Sequence, residues 1–315
     1  MTWMETLAIV LAQALLTFAL APLLNGIIRR TKAHMQGRRG AGIFQPYFDL
    51  AKYFRKEVVV STDASWLFTA TPGIVFATLG VTALLVPNVY LGSHLGFVGD
   101  VVALVYLLGL GRLFILLAAM DTGSAFTSMG SSREATLAAL AEPALLLGLV
   151  MAALPTGTLQ LGAAAAQTAA QGVSLSPVRA LSLVALVIIV IVETGRVPVD
   201  NPATHLELTM IHEGLVLEHA GRGLALMSWG AAIKQLLLFT VLIDLFAPWG
   251  AATSVSAPAL ALGVLAYLAK LLVLAVAVGL LESSIAKMRL FQVPDLIGAS
   301  FVFSLLALFS FTLLG

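Results

Sequence analysis

The 315-residue chain contains no cysteine, which excludes disulfides, iron–sulfur ligation and thiolate metal sites within it. Charge is scarce too. Charged residues make up 10% of the chain and hydrophobic residues 60%, where an ordinary soluble domain has about 25% and about 45–50%. A net charge of +1 argues against a nucleic-acid binder. Nucleophile triads, phosphate-cradling glycine loops, zinc spacings and nucleotide fingerprints are all missing. So is any internal repeat of the kind that builds many secondary transporters, which counts against a stand-alone transporter. The chain carries no self-contained active site. Its composition is that of an all-α polytopic membrane protein.

A hydrocarbon layer about 30 Å thick needs roughly 20 apolar residues per helical span. Eight segments qualify: Leu7–Ile28, Leu67–Val86, Val101–Ala119, Thr136–Leu154, Val178–Val192, Leu224–Phe246, Ala257–Leu281 and Leu296–Leu314. The fifth is short and borrows residues at both ends. Residues 1–6 hold Glu5 and no Lys or Arg, so the first span reads as a retained helix rather than a secretory leader. The loops after spans 1, 3, 5 and 7 carry eight, one, two and two Lys or Arg; the other loops and both termini carry none. The positive-inside rule then makes those four loops cytoplasmic and places both termini outside. The whole chain, 1–315, is one membrane domain with docking loops at about 29–65, 120–135 and 193–222. The opposite connections, such as Leu159–Ser176, are small, polar and without evident chemistry.

The first loop holds Arg29, Arg30, Lys32, Arg38, Arg39, Lys52, Arg55 and Lys56. Ile43, Phe44, Tyr47, Leu50, Ala51 and Phe54 recur at helical spacing, with Asp49 and Lys52 between them. The pattern predicts a basic amphipathic helix in the membrane interface. It serves either as an electrostatic anchor on anionic lipid or as a collar that docks a soluble partner. In the third loop, Ser131 and Glu134 have the spacing of a capping box, so the fourth helix is expected to start there. Glu142-Pro143 follows inside the span. A carboxylate there costs about 2.5–3.5 kcal/mol on insertion scales, which points to a retained function or a wet cavity.

The fifth loop runs Glu193-Thr194-Gly195-Arg196-Val197-Pro198-Val199-Asp200-Asn201-Pro202, with a helix expected over Thr204–Ala220 and a second capping box at Thr204 and Glu207. Glu193, Asp200, Glu207, Glu213 and Glu218 fall within 26 residues of an otherwise acid-poor chain. His205, His212 and His219 recur every seven residues. That is a rise of about 10.5 Å on a helix, too far for two ligands of one ion, so a stripe facing a partner or a wet interface is preferred to a metal site. Lys234 and Lys270 sit within spans 6 and 7, away from their ends, and read as buried polar groups rather than snorkelling ones.

Gly37-Arg38-Arg39-Gly40-Ala41-Gly42-Ile43-Phe44-Gln45-Pro46-Tyr47-Phe48-Asp49-Leu50 resembles the first cytoplasmic loop of the complex I subunit 1 family, a family of NADH dehydrogenase membrane subunits. Glu193-Thr194-Gly195-Arg196-Val197-Pro198-Val199-Asp200 is similar to that family's acid-Thr-x-Arg/Lys-x-Pro-x-Asp signature. Asp121-Thr122-Gly123-Ser124, Ser132-Arg133-Glu134 and Glu142-Pro143 look most like the membrane anchors of energy-converting group 4 [NiFe] hydrogenases, the formate hydrogenlyase subunit 4 and hydrogenase-4 component C type.

The resemblance implies a non-catalytic, cofactor-free coupling subunit of a membrane-bound hydrogenase in a bacterial or archaeal cytoplasmic membrane. Its implied partners are the hydrogenase large and small subunits with [NiFe] and [4Fe–4S] centres, a ferredoxin-like iron–sulfur subunit, antiporter-like membrane subunits and formate dehydrogenase. Arg38, Arg39, Gln45, Asp49, Lys52, Asp121, Arg133, Glu134 and Arg196 would dock the peripheral arm. Glu142, Glu193, Asp200, Glu207 and Glu213, with Lys234 and Lys270, would carry protons. The alternative is the quinone-site membrane subunit of NADH:quinone oxidoreductase (complex I), where quinone would bind above the first loop. A purely structural anchor that moves no protons is the remaining rival.

Overall fold

The computed structural model describes residues 3–92, 100–172, 176–200 and 210–314. In chain order the helices are α1 (Trp3–Met35), α2 (Gln45–Arg55), α3 (Trp66–Leu85), α4 (Asp100–Asp121), α5 (Ala125–Ala153), α6 (Leu161–Gln171), α7 (Pro177–Glu193), α8 (His212–Val216), α9 (Gly221–Phe246), α10 (Ala257–Ser284) and α11 (Val293–Leu314). Among the described residues the only β pairing is an isolated bridge between Tyr90 and Ala252. Among the described residues, seven helices are long and apolar enough to cross a membrane: α1, α3, α4, α5, α9, α10 and α11. The fifth expected span coincides with α7, which is 17 residues long.

Local chemistry accounts for the helix starts. Ser65 caps α3 by accepting from the Leu67 amide, and Ser176 caps α7 by accepting from the Arg179 amide, with Pro177 in the first turn. α9 lies at the centre. In its most apolar stretch 72% of residues are buried, against 22% in α10 and α11, whose Leu262, Leu265, Val273 and Val302 face outward. α1, α3, α6 and α7 all pack on α9, while α4 bridges α3 and α5. An outward apolar surface around a buried helix is the arrangement expected where lipid replaces water.

Two expectations fail against tertiary contacts. α5 begins at Ala125, not at Ser131, because both members of the supposed capping box are used elsewhere: Ser131 donates to the Leu116 carbonyl and Glu134 pairs with Arg112. The helix expected over Thr204–Ala220 is only the five-residue α8 within the described part, so His212 and His219 do not share a helix face. Thr204, His205 and Glu207 lie outside the described residues. Within Leu159–Ser176 the alanine run forms α6, which packs against α9.

α2 forms two residues later than its apolar spacing begins, and it folds back on α1 and α9. The return needs Gly26: a Cβ there would lie 1.8 Å from the carbonyl oxygen of Ile43, so no larger residue fits. Phe54 of α2 meets Trp229 of α9 edge-on, and Trp229 donates to the Phe18 carbonyl at 3.0 Å. At the other end of the bundle, Gln13 Oε1 accepts from the amides of Asn88, Val89 and Tyr90 at 3.0–3.1 Å, which fixes the turn after α3.

Candidate functional site

Arg112, midway along α4, is 6% exposed and reaches carboxylates from two other helices. Its Nε lies 3.4 Å from Glu134 and its Nη1 3.1 Å from Glu142, both on α5, while Nη2 donates to Glu193 at the end of α7. Gly109 leaves room for Glu142, and Gly111 leaves room for α3. A Cβ at Gly109 would sit 3.2 Å from Glu142 Oε1, and one at Gly111 would sit 3.0 Å from Thr78 Oγ1. Lys234 of α9 binds Glu193 from the other side at 2.8 Å. Glu142 differs from its partners in having a side chain that is 39% exposed.

The segment Glu193–Asp200 is built as a helix terminus followed by a tight return. The Arg196 amide donates to the Ile191 carbonyl and the Gly195 amide to that of Val192, with Gly195 left-handed at φ 59°. This turn sends Arg196 inward. Arg196 Nη1 lies 3.3 Å from Glu282 at the end of α10, and Nη2 donates to Asn25 of α1 and Gln235 of α9. Lys32 of α1 reaches the other oxygen of Glu282 at 3.2 Å. Asp200 closes the segment by accepting from the amides of Ile211 and His212 and from Lys287 Nζ at 2.8 Å.

His212 links the two halves: Nε2 is 3.4 Å from Glu134 and Nδ1 is 3.7 Å from Asp200. Burial opposes a charge on its imidazole, but Glu134 and Asp200 outweigh that and raise its proton affinity above the usual histidine value. Burial would likewise raise Asp200, yet His212 and Lys287 hold its carboxyl well below the usual carboxylate range. Among the described residues, Glu134, Glu142, Glu193 and Asp200 face Arg112, Lys234 and Lys287, so a protonated His212 makes the cluster neutral.

A cavity of about 980 Å³ opens beside this cluster. Glu193, Asp200, Glu213 and Glu282 line it, Val75, Leu79, Leu108 and Met227 form its apolar wall, and Arg29, Lys32, Arg38 and Arg39 lie along its border with the first loop. A second space of about 10 Å³, on the scale of one water, lies between Arg112, Glu134, Glu193 and His212.

Of the acids and lysines singled out as proton carriers, the structure brings together Glu142, Glu193, Asp200 and Lys234, with Glu213 on the cavity wall. Glu207 lies outside the described residues. Lys270 stands apart, donating to the Trp249 carbonyl. Among the residues assigned to docking, Arg38, Arg39, Gln45 and Lys52 are exposed, and Gln45 donates to Asp49 at 2.9 Å. Asp121 accepts from the amide and hydroxyl of Ser65, tying the third loop to α3, and Arg133 donates to the Met210 carbonyl. Glu134 and Arg196 are not presented outward: both are drawn into the ion-pair network. Sequence reasoning missed Arg112 as the hub and Glu282 and Lys287 as members. The available signal was an arginine in the middle of an apolar span, where a charge needs a partner. His219, the other histidine of the supposed stripe, stacks on Phe68 at 4.2 Å, and burial lowers its pKa to about 4.

Residues 7–313 match the family described as NADH dehydrogenase. Formate hydrogenlyase subunit 4 of Escherichia coli (strain K12) is 36% identical over 95% of this chain and 97% of its own. Hydrogenase-4 component C of the same organism is 34% identical over 94% and 93%. An NADH-quinone oxidoreductase subunit of Koribacter versatilis (strain Ellin345) is 30% identical over 71% of this chain and 56% of its own. In fold, the chain is similar to one of the membrane-bound sulfane sulfur reductase, an archaeal respiratory membrane complex, with a TM-score of 0.77 at 18% identity over 96% of this chain and 99% of that one. With seven apolar helices and such relatives, this is a multi-pass membrane protein.

Proposed function

This chain belongs to the NADH dehydrogenase family, close to formate hydrogenlyase subunit 4 and hydrogenase-4 component C, and from that premise we propose that it is the anchor and coupling subunit of a membrane-bound [NiFe] hydrogenase. The observation that carries this reading is the Arg112 hub: carboxylates from two helices meet on one guanidinium, beside a large cavity that borders a basic loop. Charges at that depth are expensive unless they serve transfer or hydration.

In this reading α7 is the eighth span, α2 lies in the membrane interface, the loops rich in Lys and Arg are cytoplasmic and both termini are outside. Exposed Arg38, Arg39, Gln45 and Lys52, with the partly buried Asp49, dock a peripheral arm of hydrogenase large and small subunits, with a ferredoxin-like subunit delivering electrons from formate dehydrogenase. Antiporter-like membrane subunits adjoin the half-exposed Glu142. The redox centres belong to those partners, since this chain has no cysteine to bind an iron–sulfur cluster. Protons enter by Glu213 and Asp200, pass His212, Glu134 and Glu193, and leave sideways at Glu142. A charge change in the neighbouring arm alters which carboxylate holds the proton, and the neutral or anionic state of the cluster turns on His212.

The test is Glu193→Gln and Glu142→Gln in the assembled complex, reading hydrogen turnover and proton translocation in proteoliposomes. Turnover that persists while translocation falls at least several-fold supports the reading. Unchanged translocation in both variants ends it.

The cavity also suits the quinone-site reading, because its apolar wall would accept a quinone ring and its isoprenoid tail. Quinone-dependent electron transfer, blocked by quinone analogues, would favour it.

A further inference from the structure

The end of α9 remote from the cavity holds a second titratable group that the coupling network does not use. Asp244 lies in the last turn of α9, is 2% exposed, and its Oδ2 has no hydrogen-bond partner. Lys270 on α10 is the cation that acts on it, yet the Lys270 ammonium donates to the Trp249 carbonyl and stands 5.6 Å above the Trp249 ring. Tyr267, one turn before Lys270, is the other titratable neighbour. Its hydroxyl shares a 2.7 Å hydrogen bond with Thr240, one turn before Asp244. No other charged group on the helices packed around α9 acts on Asp244 among the described residues.

A carboxylate kept to clamp two helices together is met by its cation, because an unpaired charge in apolar surroundings is too costly. Asp244 is not met in that way. The polar groups coupled to it are Tyr267, whose hydroxyl is shared with Thr240, and Lys270, whose ammonium is already bound to the Trp249 carbonyl. On α9 the polar positions Gln235, Thr240 and Asp244 climb away from the cavity, Gln235 and Asp244 being about 13.5 Å apart along the axis. Gln235 is 3% exposed, lines the cavity, and its Nε2 has no hydrogen-bond partner.

We propose that Asp244 is a proton-carrying carboxyl of the far half of this chain, loaded from the Thr240–Tyr267 hydroxyl pair and unloaded past Lys270 to the opposite face of the membrane. On loading, an O–H bond forms at Oδ2 and the donor hydroxyl regains its proton from the cavity side. On unloading, that bond breaks and the proton passes to water beside Lys270. No electron moves. The proposal rests on the coupling reading above, but it places an exit within this chain, separate from the lateral one at Glu142.

The experiment uses the intact complex, purified through a tag on this chain and reconstituted in proteoliposomes. Asp244→Asn is expected to keep redox turnover within about twofold under uncoupled conditions and to lower protons moved per turnover at least twofold. Infrared difference spectra on turnover should contain the C=O stretch of a protonated carboxyl that is lost in Asp244→Asn and shifted in Lys270→Met. If Asp244→Asn does not assemble, Tyr267→Phe and Lys270→Met decide: lowered translocation with a shifted band supports the proposal. Wild-type translocation, or a carboxyl band indifferent to all three substitutions, overturns it. Glu193→Gln run alongside separates the two readings. Loss with Glu193→Gln alone removes only the exit at Asp244, and loss with Asp244→Asn alone removes only the path at the cavity.

Discussion

Arg112 and Glu193, 81 residues apart in the chain, are joined by an ion pair in which both side chains are nearly inaccessible. Burying two charges gains little by itself, because lost hydration offsets most of the attraction. Removing one member is different, since the other is then left in apolar surroundings. Arg112→Met should therefore destabilise the protein by about 3–5 kcal/mol and deplete the assembled complex in membranes. Arg112→Lys should assemble but lose coupling, because a point charge cannot fork to Glu134, Glu142 and Glu193 together. Thermal unfolding of the solubilised complex reads the first effect and proton translocation the second. A fully coupled Arg112→Lys complex would show that charge alone suffices.

His212 sets an alkaline limit. Its folded-state proton affinity is raised, so its stabilising charge is fully present below the ordinary histidine pKa and disappears as pH rises through the raised value. Asp200 is held low, so its contribution is present above the ordinary carboxylate pKa and is lost only in strong acid. Coupled turnover should accordingly fall on the alkaline side with a single-proton slope. In His212→Gln that limb should vanish and leave a low, flat profile. A pH profile identical to wild type would remove His212 from the coupling cluster.

His219 acts in the opposite sense. Burial against Phe68 lowers its pKa to about 4, so the unfolded chain binds a proton that the folded one refuses. Stability should decline as pH falls from the ordinary histidine value of about 6.5 towards 4 and level off below that. His219→Phe keeps a stacked ring without the titration and should flatten this region of a Tm-against-pH curve.

Gly195 tests the return after α7. A side chain there meets the left-handed conformation, at about 1–2 kcal/mol, and its Cβ would lie 2.7 Å from His212 Nδ1. Gly195→Ala should lower Tm by several degrees and shift the alkaline limit assigned to His212. A change in Tm without the pH shift would mean that the turn supports the fold and leaves the histidine where it was.

The long helices were legible because length and hydropathy decide them, and α2 because its apolar residues keep helical spacing. The site was legible only in part. Glu193, Asp200 and Glu142 announce themselves as acids within or beside apolar runs, whereas Glu282 looks like an ordinary span-end residue until α10 is packed against α1. Ser131 and Glu134 mimic a cap because sequence spacing cannot show that Leu116 and Arg112 claim their side chains. The helix expected up to Ala220 ends instead at Val216, and Gly214 within it packs closely against Gly130 of α5. That contact is tertiary, and no local pattern encodes it.

The partners of Glu282 have a consequence for how the chain is made. Lys32 precedes Glu282 by 250 residues and Arg196 precedes it by 86, while Asp200 waits 87 residues for Lys287. During synthesis both cations, and Asp200, are laid down well before the segment that answers them. A nascent chain halted ahead of α10 thus exposes an open socket with two cations unanswered, and α10 with the short segment after it closes it. Biogenesis and charge balance finish together, so a truncated product is electrically conspicuous to whatever surveys newly inserted membrane proteins.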